Sequence, residues 1–434
     1  MQRILAIGLN EPGEFESYYK KQLSLIKMNT TAQPVKNRII ALDALRGFAL
    51  LGIALANFPE FSLWTFLDGE AQAAMPSGGI DHIVRWVQYF LIDGKFYTIF
   101  SVLFGIGFYI IISHAMERGA NGFKIFYRRM LVLLCIGIAH LMLLWSGDIL
   151  ALYAAVGMLL PLFRNCKPKT LLRWSAAFFA LPVIIETWRT LSGVNPSNLL
   201  YAAWWDAAAS RGITAENFAT WLRDADSYDG MSAFLMQGAV ERMWEFVSGQ
   251  RYFKVLALFL LGFYIGRQRI FADLAANAAL LSRTAKIGFA IGIPLSGVYA
   301  WSAISGEPLG SISHSLIYTL SIYPLGVAYM AGFCLLYLRC QDSAIWRALS
   351  HPGRMALTCY ITQSVAGIIL FYGVGLGFGT SVGLTLTITI AAAVFAGESI
   401  LCGLWLRYFN FGPLEWVWRM LTYGKWMRLR KETA

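Results

Sequence analysis

The sequence predicts an all-α membrane protein, a polytopic helix bundle. Of its 434 residues, 57% are hydrophobic and 15% aromatic, whereas only 14% are charged. The mean hydropathy is +0.54. Soluble globular domains typically have about 45–50% apolar and about 25% charged residues. Because the apolar residues of this chain fall in long runs, the composition indicates membrane-spanning helices.

Ten runs are candidates to cross the membrane. A helix needs about 20 apolar residues to cross a hydrocarbon layer of roughly 30 Å. The candidate runs cover residues 39–58, 96–114, 130–146, 149–163, 171–191, 253–266, 287–305, 316–338, 355–372 and 381–406. The fourth and sixth runs are short, so the sequence defines their ends least well.

The distribution of lysine and arginine predicts the orientation of these helices. If the amino terminus is cytoplasmic and every run spans, 27 of the 36 basic residues fall on the inner side. The inner segments are 1–38, 115–129, 164–173, 267–286, 339–354 and 407–434. This asymmetry follows the positive-inside rule and predicts ten helices with both termini cytoplasmic. The net charge of +11 therefore indicates topology and contact with anionic lipids, and not nucleic-acid binding.

Three segments follow from this map. Residues 1–37 form a cytoplasmic tail without the features of a signal peptide, and Met28 is an alternative start because the sequence changes character just before Arg38. Residues 38–425 form the transmembrane domain, and residues 426–434 form a basic cytoplasmic tail.

The outer connection between residues 192 and 252 is the one long loop, and aromatic residues alternate there with charged ones. The aromatic residues concerned are Tyr201, Trp204, Trp205, Trp221, Tyr228 and Trp244. Such a mixture suits helices that lie at the membrane surface. The segment is therefore predicted to be either a simple interfacial cap or a lid that binds an acceptor.

The cysteines predict neither a disulfide framework nor a metal site. Cys135, Cys334, Cys359 and Cys402 fall in apolar runs, and the other two cysteines fall on the inner side. Disulfides would be expected in outer loops, and no pair of cysteines has the spacing of zinc ligands.

Asp43 and Arg46 are the first candidate functional residues, since both lie near the start of the first apolar run. Residues three apart share a helix face, so the two side chains can pair or face one polar group together. An ionisable residue inside a membrane costs about 2.5–3.5 kcal/mol on insertion scales and usually faces a bundle interior. The pair is expected to be an inner-side binding element or a structural ion pair.

His140 and Asp148 are the next candidates, at the end of the third run and in the turn that follows it. His140 lies about 16 Å beyond Arg129 in a continuous helix, near the middle of the bilayer. It is either a packed, hydrogen-bonded residue or a group that handles protons. Asp148 is expected to cap the next helix or to orient a base. A direct contact between the two is not expected, because eight helical residues span about 12 Å.

Further polar residues lie in or beside the apolar runs. Lys95 is expected to reach the headgroups at an outer boundary or to bind substrate. Gly105 and Gly107 are expected to allow close helix packing. Near the carboxyl end Arg354 precedes a run in which Tyr360, Gln363 and Ser364 share one helix face. Interhelical hydrogen bonding or substrate binding would explain that face. Glu398 is a further acid whose partner the sequence does not identify.

Five motifs resemble the YeiB-type family of bacterial inner-membrane proteins, a family of unknown function. They are Ala41-Leu-Asp-Ala-Leu-Arg-Gly-Phe-Ala-Leu-Leu-Gly, Lys95-Phe with Leu103-Phe-Gly-Ile-Gly, His140 with Trp145-Ser-Gly-Asp-Ile-Leu, Gly353-Arg-Met-Ala-Leu-Thr with Gln363-Ser, and Gly412-Pro-Leu-Glu-Trp-Val-Trp-Arg-Met-Leu-Thr. The motifs occur in order between about residue 38 and residue 425, so the resemblance covers nearly the whole transmembrane domain.

That family looks like a distant relative of membrane acyltransferases, among them heparan-alpha-glucosaminide N-acetyltransferase and bacterial O-acyltransferases. The resemblance implies transfer of an acyl group from cytoplasmic acyl-CoA, a substrate and not a tightly bound cofactor, to an acceptor at or beyond the membrane. His140 and Asp148 would be catalytic, whereas Asp43, Arg46, Lys95, Arg354, Tyr360 and Gln363 would bind substrate. His82 lies where the N-acetyltransferase has its catalytic histidine, but its surroundings differ from that motif and it is expected in an exposed loop.

Two other classes fit the sequence. Ten helices with intramembrane charges and many glycines also suit a transporter or an export protein, although inverted repeats are not evident. A membrane assembly partner without catalytic turnover would reduce Asp43 and Arg46 to an ion pair that stabilises the fold. The acyl chain, the acceptor or transported substrate, and the oligomeric state do not follow from the sequence.

Overall fold

The computed structural model describes residues 40–117 and 119–432. These residues form seventeen α-helices and three short 3₁₀ turns, with no β-strand apart from one isolated bridge between Phe409 and Arg430. The helices are α1 (Ile40–Phe61), α2 (Gly69–Ala73), α3 (Gly78–Leu91), α4 (Lys95–Glu117), α5 (Gly122–Leu143), α6 (Leu150–Gly157), α7 (Pro168–Ser192), α8 (Asn198–Ala209), α9 (Trp221–Asp224), α10 (Tyr228–Ser248), α11 (Arg251–Arg267), α12 (Ala278–Ile304), α13 (Gly310–Arg339), α14 (Ala344–Arg354), α15 (Ala356–Phe371), α16 (Leu384–Tyr408) and α17 (Pro413–Tyr423). The predicted all-α helix bundle is confirmed.

Seven helical segments within the described ranges are long and apolar enough to cross a membrane. Two further spans are possible if each of two bent pairs counts as one: α10 with α11, which meet at 66°, and α14 with α15, which meet at 81°. The predicted fourth run forms only a short apolar helix, α6, followed by a 3₁₀ turn. Length and apolarity therefore support seven to nine spans, fewer than the ten predicted. The sidedness of the helices stays a prediction, and residues 1–37 with the alternative start at Met28 lie outside the described residues.

Three segments that the charge pattern predicts on the inner side come together at one end of the bundle. The guanidinium of Arg129, near the start of α5, lies 3.5 Å from the ring centroid of Trp418 on α17. The Trp418 indole N–H donates to the backbone carbonyl of Arg129 at 2.9 Å. Glu415, also on α17, accepts hydrogen bonds from the backbone N–H groups of Leu357 and Thr358 at the start of α15. Arg347 and Arg354 also line one cavity with Arg407 and Lys431. Parts of the three segments that the charge pattern predicts on one side therefore lie together.

Glu415 closes this end of the molecule by capping α15. Its second carboxylate oxygen accepts the Thr358 hydroxyl at 2.6 Å, so the first-turn donors of α15 have a partner. Burial raises the pKa of the Glu415 carboxyl, while the hydrogen bonds from Thr358 and Leu357 act in the opposite direction. The motif that contains Glu415 thus has a structural role.

Small residues let the helices approach at backbone distance. A Cβ added to Gly47 on α1 would lie 1.9 Å from the Leu349 carbonyl oxygen on α14, and one added to Gly353 would lie 1.8 Å from the Asp43 carbonyl oxygen. Likewise, a Cβ at Gly105 on α4 would lie 2.0 Å from the carbonyl oxygen of Phe259 on α11. Gly107 has no such neighbour within 4 Å. Of the two glycines expected to allow close packing, only Gly105 does so.

The outer connection packs chiefly against itself. The Trp204 ring stacks on Trp205 and on Trp244, with centroid distances of 5.0 Å and 5.2 Å, and Trp204 is buried. Tyr201 and Tyr228 are exposed. The ring of Trp204 is thus enclosed by other rings of the same connection, and the position of the connection at the membrane surface stays a prediction. The Tyr228 hydroxyl donates to the backbone carbonyl of Leu143 at 3.0 Å, so the connection covers the end of α5.

The two glycines of α4 give a matched test of this packing. Gly105→Ala should destabilise the protein by about 1–3 kcal/mol, because the new methyl group meets rigid backbone on α11. Gly107→Ala should be neutral or slightly stabilising, since alanine is the better helix former and nothing obstructs it. Thermal unfolding of both variants in the same detergent measures the difference, and equal midpoints would contradict the close α4–α11 contact.

Candidate functional site

The helix α5 ends at Leu143, and this end determines the geometry of the site. The backbone N–H groups of Leu144 and Trp145 both donate to the carbonyl oxygen of His140, at 3.0 Å and 2.9 Å. The chain then turns through Ser146 and Gly147 and enters α6. A Cβ at Gly147 would lie 2.0 Å from the Trp145 ring, so the turn requires glycine here. The turn carries Asp148 back toward the histidine.

His140 and Asp148 are in direct contact. The Nδ1 atom of the imidazole lies 2.9 Å from Oδ2 of the carboxylate. The expectation that the two residues are too far apart was wrong, because it assumed that the helix continues to residue 148. Oδ1 of Asp148 accepts the backbone N–H of Ala151 at 2.8 Å. Asp148 therefore caps α6 and also orients His140, which joins the two roles proposed for it.

Ser364 completes a row of three side chains. Its hydroxyl oxygen lies 2.9 Å from Nε2 of His140, opposite the aspartate. The direction of these hydrogen bonds depends on the imidazole tautomer: with the proton on Nδ1, His140 donates to Asp148 and Nε2 accepts the Ser364 hydroxyl. The hydroxyl also lies 3.4 Å from the Tyr360 carbonyl oxygen. The fractional exposures of His140, Asp148 and Ser364 are 2%, 1% and 1%. This is the arrangement of a serine nucleophile, a histidine base and an orienting carboxylate.

Aromatic residues enclose the row. The Tyr360 ring lies 5.2 Å from the His140 ring, and the Trp145 ring lies 6.2 Å from it in an edge-on orientation. The Tyr360 hydroxyl is buried, and it has no hydrogen bond of normal geometry within the described part of the chain, although the backbone N–H of Ile149 is near. The Tyr360 hydroxyl is therefore available to donate a hydrogen bond to a bound reactant.

Arg242 on α10 holds the turn from the other side. Its Nε donates to the Ser146 carbonyl at 2.8 Å, and its terminal nitrogens contact Glu245 and, at 3.5 Å, Glu60 at the end of α1. A Cβ at Gly238 would lie 2.5 Å from the Ser146 Cβ, so α10 lies directly on the turn. Helices α1, α5 and α10 thus converge at the end of the site that the outer connection covers.

The other predicted site residues lie elsewhere. Arg46 pairs with Asp43 at 3.0 Å near the start of α1. Gln363 donates to Glu398 at 2.8 Å, and this supplies the partner that the sequence did not identify for the acid. Lys95 is fully buried and donates to the Tyr89 carbonyl at 2.6 Å, so it does not extend to the headgroups. Arg354 lies at the end of α14, against a separate basic cavity.

The sequence identified two members of the row and missed the role of the third. Ser364 was assigned only to a polar helix face with Tyr360 and Gln363. The structure divides that face, because Tyr360 and Ser364 turn toward His140 while Gln363 turns toward α16. The four-residue spacing of Tyr360 and Ser364 was the available signal. His82 is exposed as expected, but it lies on helix α3 and not in a loop.

No group of three or more potential metal ligands occurs among residues 40–117 and 119–432.

The fold and the site define a class: a multi-pass helical membrane protein with a buried serine–histidine–aspartate row. Comparison with known proteins adds a family. A profile described as a protein of unknown function, DUF418, matches residues 265–425. The chain is 29% identical over 403 residues to the uncharacterized protein YxaH of Bacillus subtilis strain 168, covering 91% of this chain and 97% of that protein.

Two further relatives give the same result. An uncharacterized 39.9 kDa protein encoded in the amylase 3' region of Bacillus acidopullulyticus is 29% identical over 405 residues, with 89% of this chain and 94% of that protein covered. The uncharacterized protein YeiB of Escherichia coli strain K12 is 26% identical over 408 residues, with 89% and 96% covered. These similarities support the YeiB-type family of unknown function, which the motifs predicted.

Removal of Arg242 tests how the turn is held. Arg242→Ala should lower the free energy of unfolding by about 1–3 kcal/mol, because the Ser146 carbonyl loses a buried donor. Arg428→Ala is the control, since its pair with Glu432 is exposed and should contribute less than about 1 kcal/mol. Chemical unfolding in detergent measures both, and similar losses in the two variants would contradict a buried clamp at residue 242.

Proposed function

We propose that the protein is an acyltransferase of the bacterial inner membrane, which moves an acyl group from cytoplasmic acyl-CoA through Ser364 to an acceptor at or beyond the membrane. The observation that carries this proposal is the pair of 2.9 Å contacts on opposite nitrogens of His140. With its proton on Nδ1, the imidazole donates to the Asp148 carboxylate and its basic Nε2 faces the Ser364 hydroxyl. Activation of a hydroxyl nucleophile requires this arrangement.

The first half of the reaction acylates the serine. Nε2 of His140 takes the hydroxyl proton as Oγ of Ser364 forms a bond to the thioester carbonyl carbon. The carbon–sulfur bond then breaks, and the imidazolium returns its proton to the departing thiolate, so free CoA leaves as a thiol. Asp148 stabilises the imidazolium and keeps the ring oriented throughout.

The second half transfers the acyl group to the acceptor. A hydroxyl or amine of the acceptor gives its proton to Nε2 of His140 and forms a bond to the acyl carbon. The bond from that carbon to Oγ of Ser364 breaks, and the serine oxygen takes the proton back. The enzyme returns to its initial state and requires no cofactor.

The burial of the row favours transfer over hydrolysis. All three side chains are at most 2% exposed, so bulk water does not reach the ester that would form on Ser364. For the same reason an acceptor from the outer side can enter only when the element that covers this end moves. The outer connection is the element in place for this, because Tyr228 contacts the end of α5 and Arg242 contacts the turn. This supports its assignment as a lid, one of the two predicted roles.

Tyr360 is assigned as the donor to the oxyanion that develops on the acyl carbonyl. Its ring lies 5.2 Å from the His140 ring, and Tyr360 is four residues from Ser364 on the same helix. Asp43, Arg46 and Arg354 would bind the donor on the inner side. Lys95 and Gln363 stay predicted substrate residues, and each has a protein partner in the structure.

Covalent labelling tests the nucleophile. Purified protein incubated with radiolabelled acyl-CoA should acquire a label that resists neutral hydroxylamine and is removed by alkaline hydroxylamine, as expected of an oxygen ester on serine and not of a thioester on cysteine. Ser364→Ala should abolish this label, and His140→Ala should reduce its rate by a factor of about 10²–10⁴ with expression unchanged. Ser175→Ala is the matched control, because Ser175 is a buried serine whose hydroxyl donates to the Ala257 carbonyl of another helix.

Undiminished labelling of a folded Ser364→Ala variant would refute the assignment of Ser364 as the nucleophile. Unchanged transfer by His140→Ala would refute the assignment of His140 as the general base. If neither wild type nor control is labelled, and the protein instead mediates uptake in proteoliposomes, the transporter alternative replaces the acyltransferase.

The Tyr360 assignment has its own prediction. Tyr360→Phe should lower the rate of acylation by a factor of about 10–10³ while leaving acyl-CoA affinity unchanged, because the hydroxyl acts on charge that appears only in the transition state. Single-turnover kinetics separate the two quantities. A loss confined to affinity would instead place Tyr360 among substrate-binding residues.

A further inference from the structure

A basic cavity lies between α14 and the carboxyl-terminal half of α16, away from the serine–histidine–aspartate row. Its volume is about 540 Å³, and none of the described residues that line it is acidic. The lining residues that can carry positive charge are Arg347, His351, Arg354, Arg407 and Lys431. Like charges gathered in one concave site repel each other and attract an anion of matching size.

Two of these cations point to a ligand from outside the protein. Within residues 40–117 and 119–432, the guanidinium groups of Arg347 and Arg407 make no hydrogen bond and no ion pair, whereas the Lys431 ammonium donates to the Leu406 carbonyl at 2.6 Å. Both arginines are exposed and line the same cavity. The paired N–H donors of an arginine guanidinium match the spacing of phosphate oxygens, so phosphate is the preferred anion.

The remaining wall of the cavity is apolar. Ile400 and Leu404, on the surface of α16, are 65% and 45% exposed. Gly403 lies between them and leaves room for His351, since a Cβ there would be 2.8 Å from the imidazole Nδ1. Because these exposed side chains belong to a helix long and apolar enough to span, they are expected to face lipid. The cavity thus combines a cationic end with a wall that suits a hydrocarbon chain.

The position of the cavity links it to the inner leaflet. Its helix α14 and the segment from Arg407 onward are those that the charge pattern predicts on the cytoplasmic side. Arg354 ends α14 two residues before α15 begins, and Ser364 lies about 12 Å of helix rise from the start of α15. An amphiphile held here would have its polar end at the membrane surface and its chain in the bilayer.

We propose that this cavity binds the phosphate of an amphiphile that lies in the inner leaflet, with Arg347 and Arg407 contacting the phosphate and Ile400 and Leu404 contacting the chain. Two sources have this chemistry: an anionic phospholipid and a long-chain acyl-CoA. If the source is acyl-CoA, the proposal deepens the proposed function by defining its donor site. The binding itself requires neither Ser364 nor catalytic turnover.

Binding to the full-length protein in phosphatidylcholine nanodiscs tests the proposal. The probes are palmitoyl-CoA, added to the discs and titrated, and phosphatidylglycerol, introduced into the discs and detected by native mass spectrometry. Arg347→Gln/Arg407→Gln should weaken binding of at least one probe tenfold or more. Two control variants should bind like the wild type. Arg428→Gln changes a basic residue outside the cavity lining, and Ser364→Ala changes the proposed nucleophile.

The two arms distinguish the sources. Loss of palmitoyl-CoA binding in the double variant, with competition by unacylated CoA in the wild type, identifies the acyl donor. Loss of retained phosphatidylglycerol alone identifies a phospholipid headgroup. Equal binding by the wild type and the double variant in both arms, or no binding in either, overturns the proposal. Because Ser364→Ala is measured in parallel, a failure of catalysis does not affect the result.

Discussion

The end of α5 at Leu143 is the constraint on which the site depends. In a helix that continued to residue 148, His140 and Asp148 would be about 12 Å apart, and the histidine would face its neighbours without an acid. Instead, the His140 carbonyl accepts two backbone N–H groups, and the chain reverses. One backbone feature thereby places a carboxylate on Nδ1 of the imidazole and leaves Nε2 available to Ser364.

The cost of burying polar groups in a low-dielectric bundle explains the contacts around this turn. A buried polar group without a partner costs about 1–3 kcal/mol, so each one requires a donor or an acceptor. Arg242 supplies a donor to Ser146, and Asp148 supplies an acceptor to both His140 and Ala151. Glu398 and Glu415 meet the same requirement for Gln363 and for the first turn of α15. The Tyr360 hydroxyl is the departure from this pattern nearest the row, which is why it receives a role in the proposed reaction.

The two polar regions of the protein have different physical designs. The serine–histidine–aspartate row is enclosed and is held by helices α5 and α15 and by the turn that leads into α6. The cavity of Arg347 and Arg407 is open, strongly basic and continuous with an apolar helix surface. A reaction that must exclude water would require the enclosed row. A surface that must bind an anionic amphiphile would require the open basic cavity. Helix α15 connects them, since it follows Arg354 and carries Ser364.

Apolar runs and the charge pattern by themselves predicted a multi-pass helical protein, and short motifs indicated the resemblance to the YeiB-type family, because these features depend only on local sequence. They also identified His140, Asp148 and the polar face of Tyr360 and Ser364. The contact between His140 and Asp148, the assignment of Ser364 to that pair and the separation of Gln363 from it depended on the tertiary structure. Where a helix ends, and which residue of a distant helix meets it, is decided by packing between elements more than 200 residues apart in sequence. Hydrophobic periodicity does not contain that information.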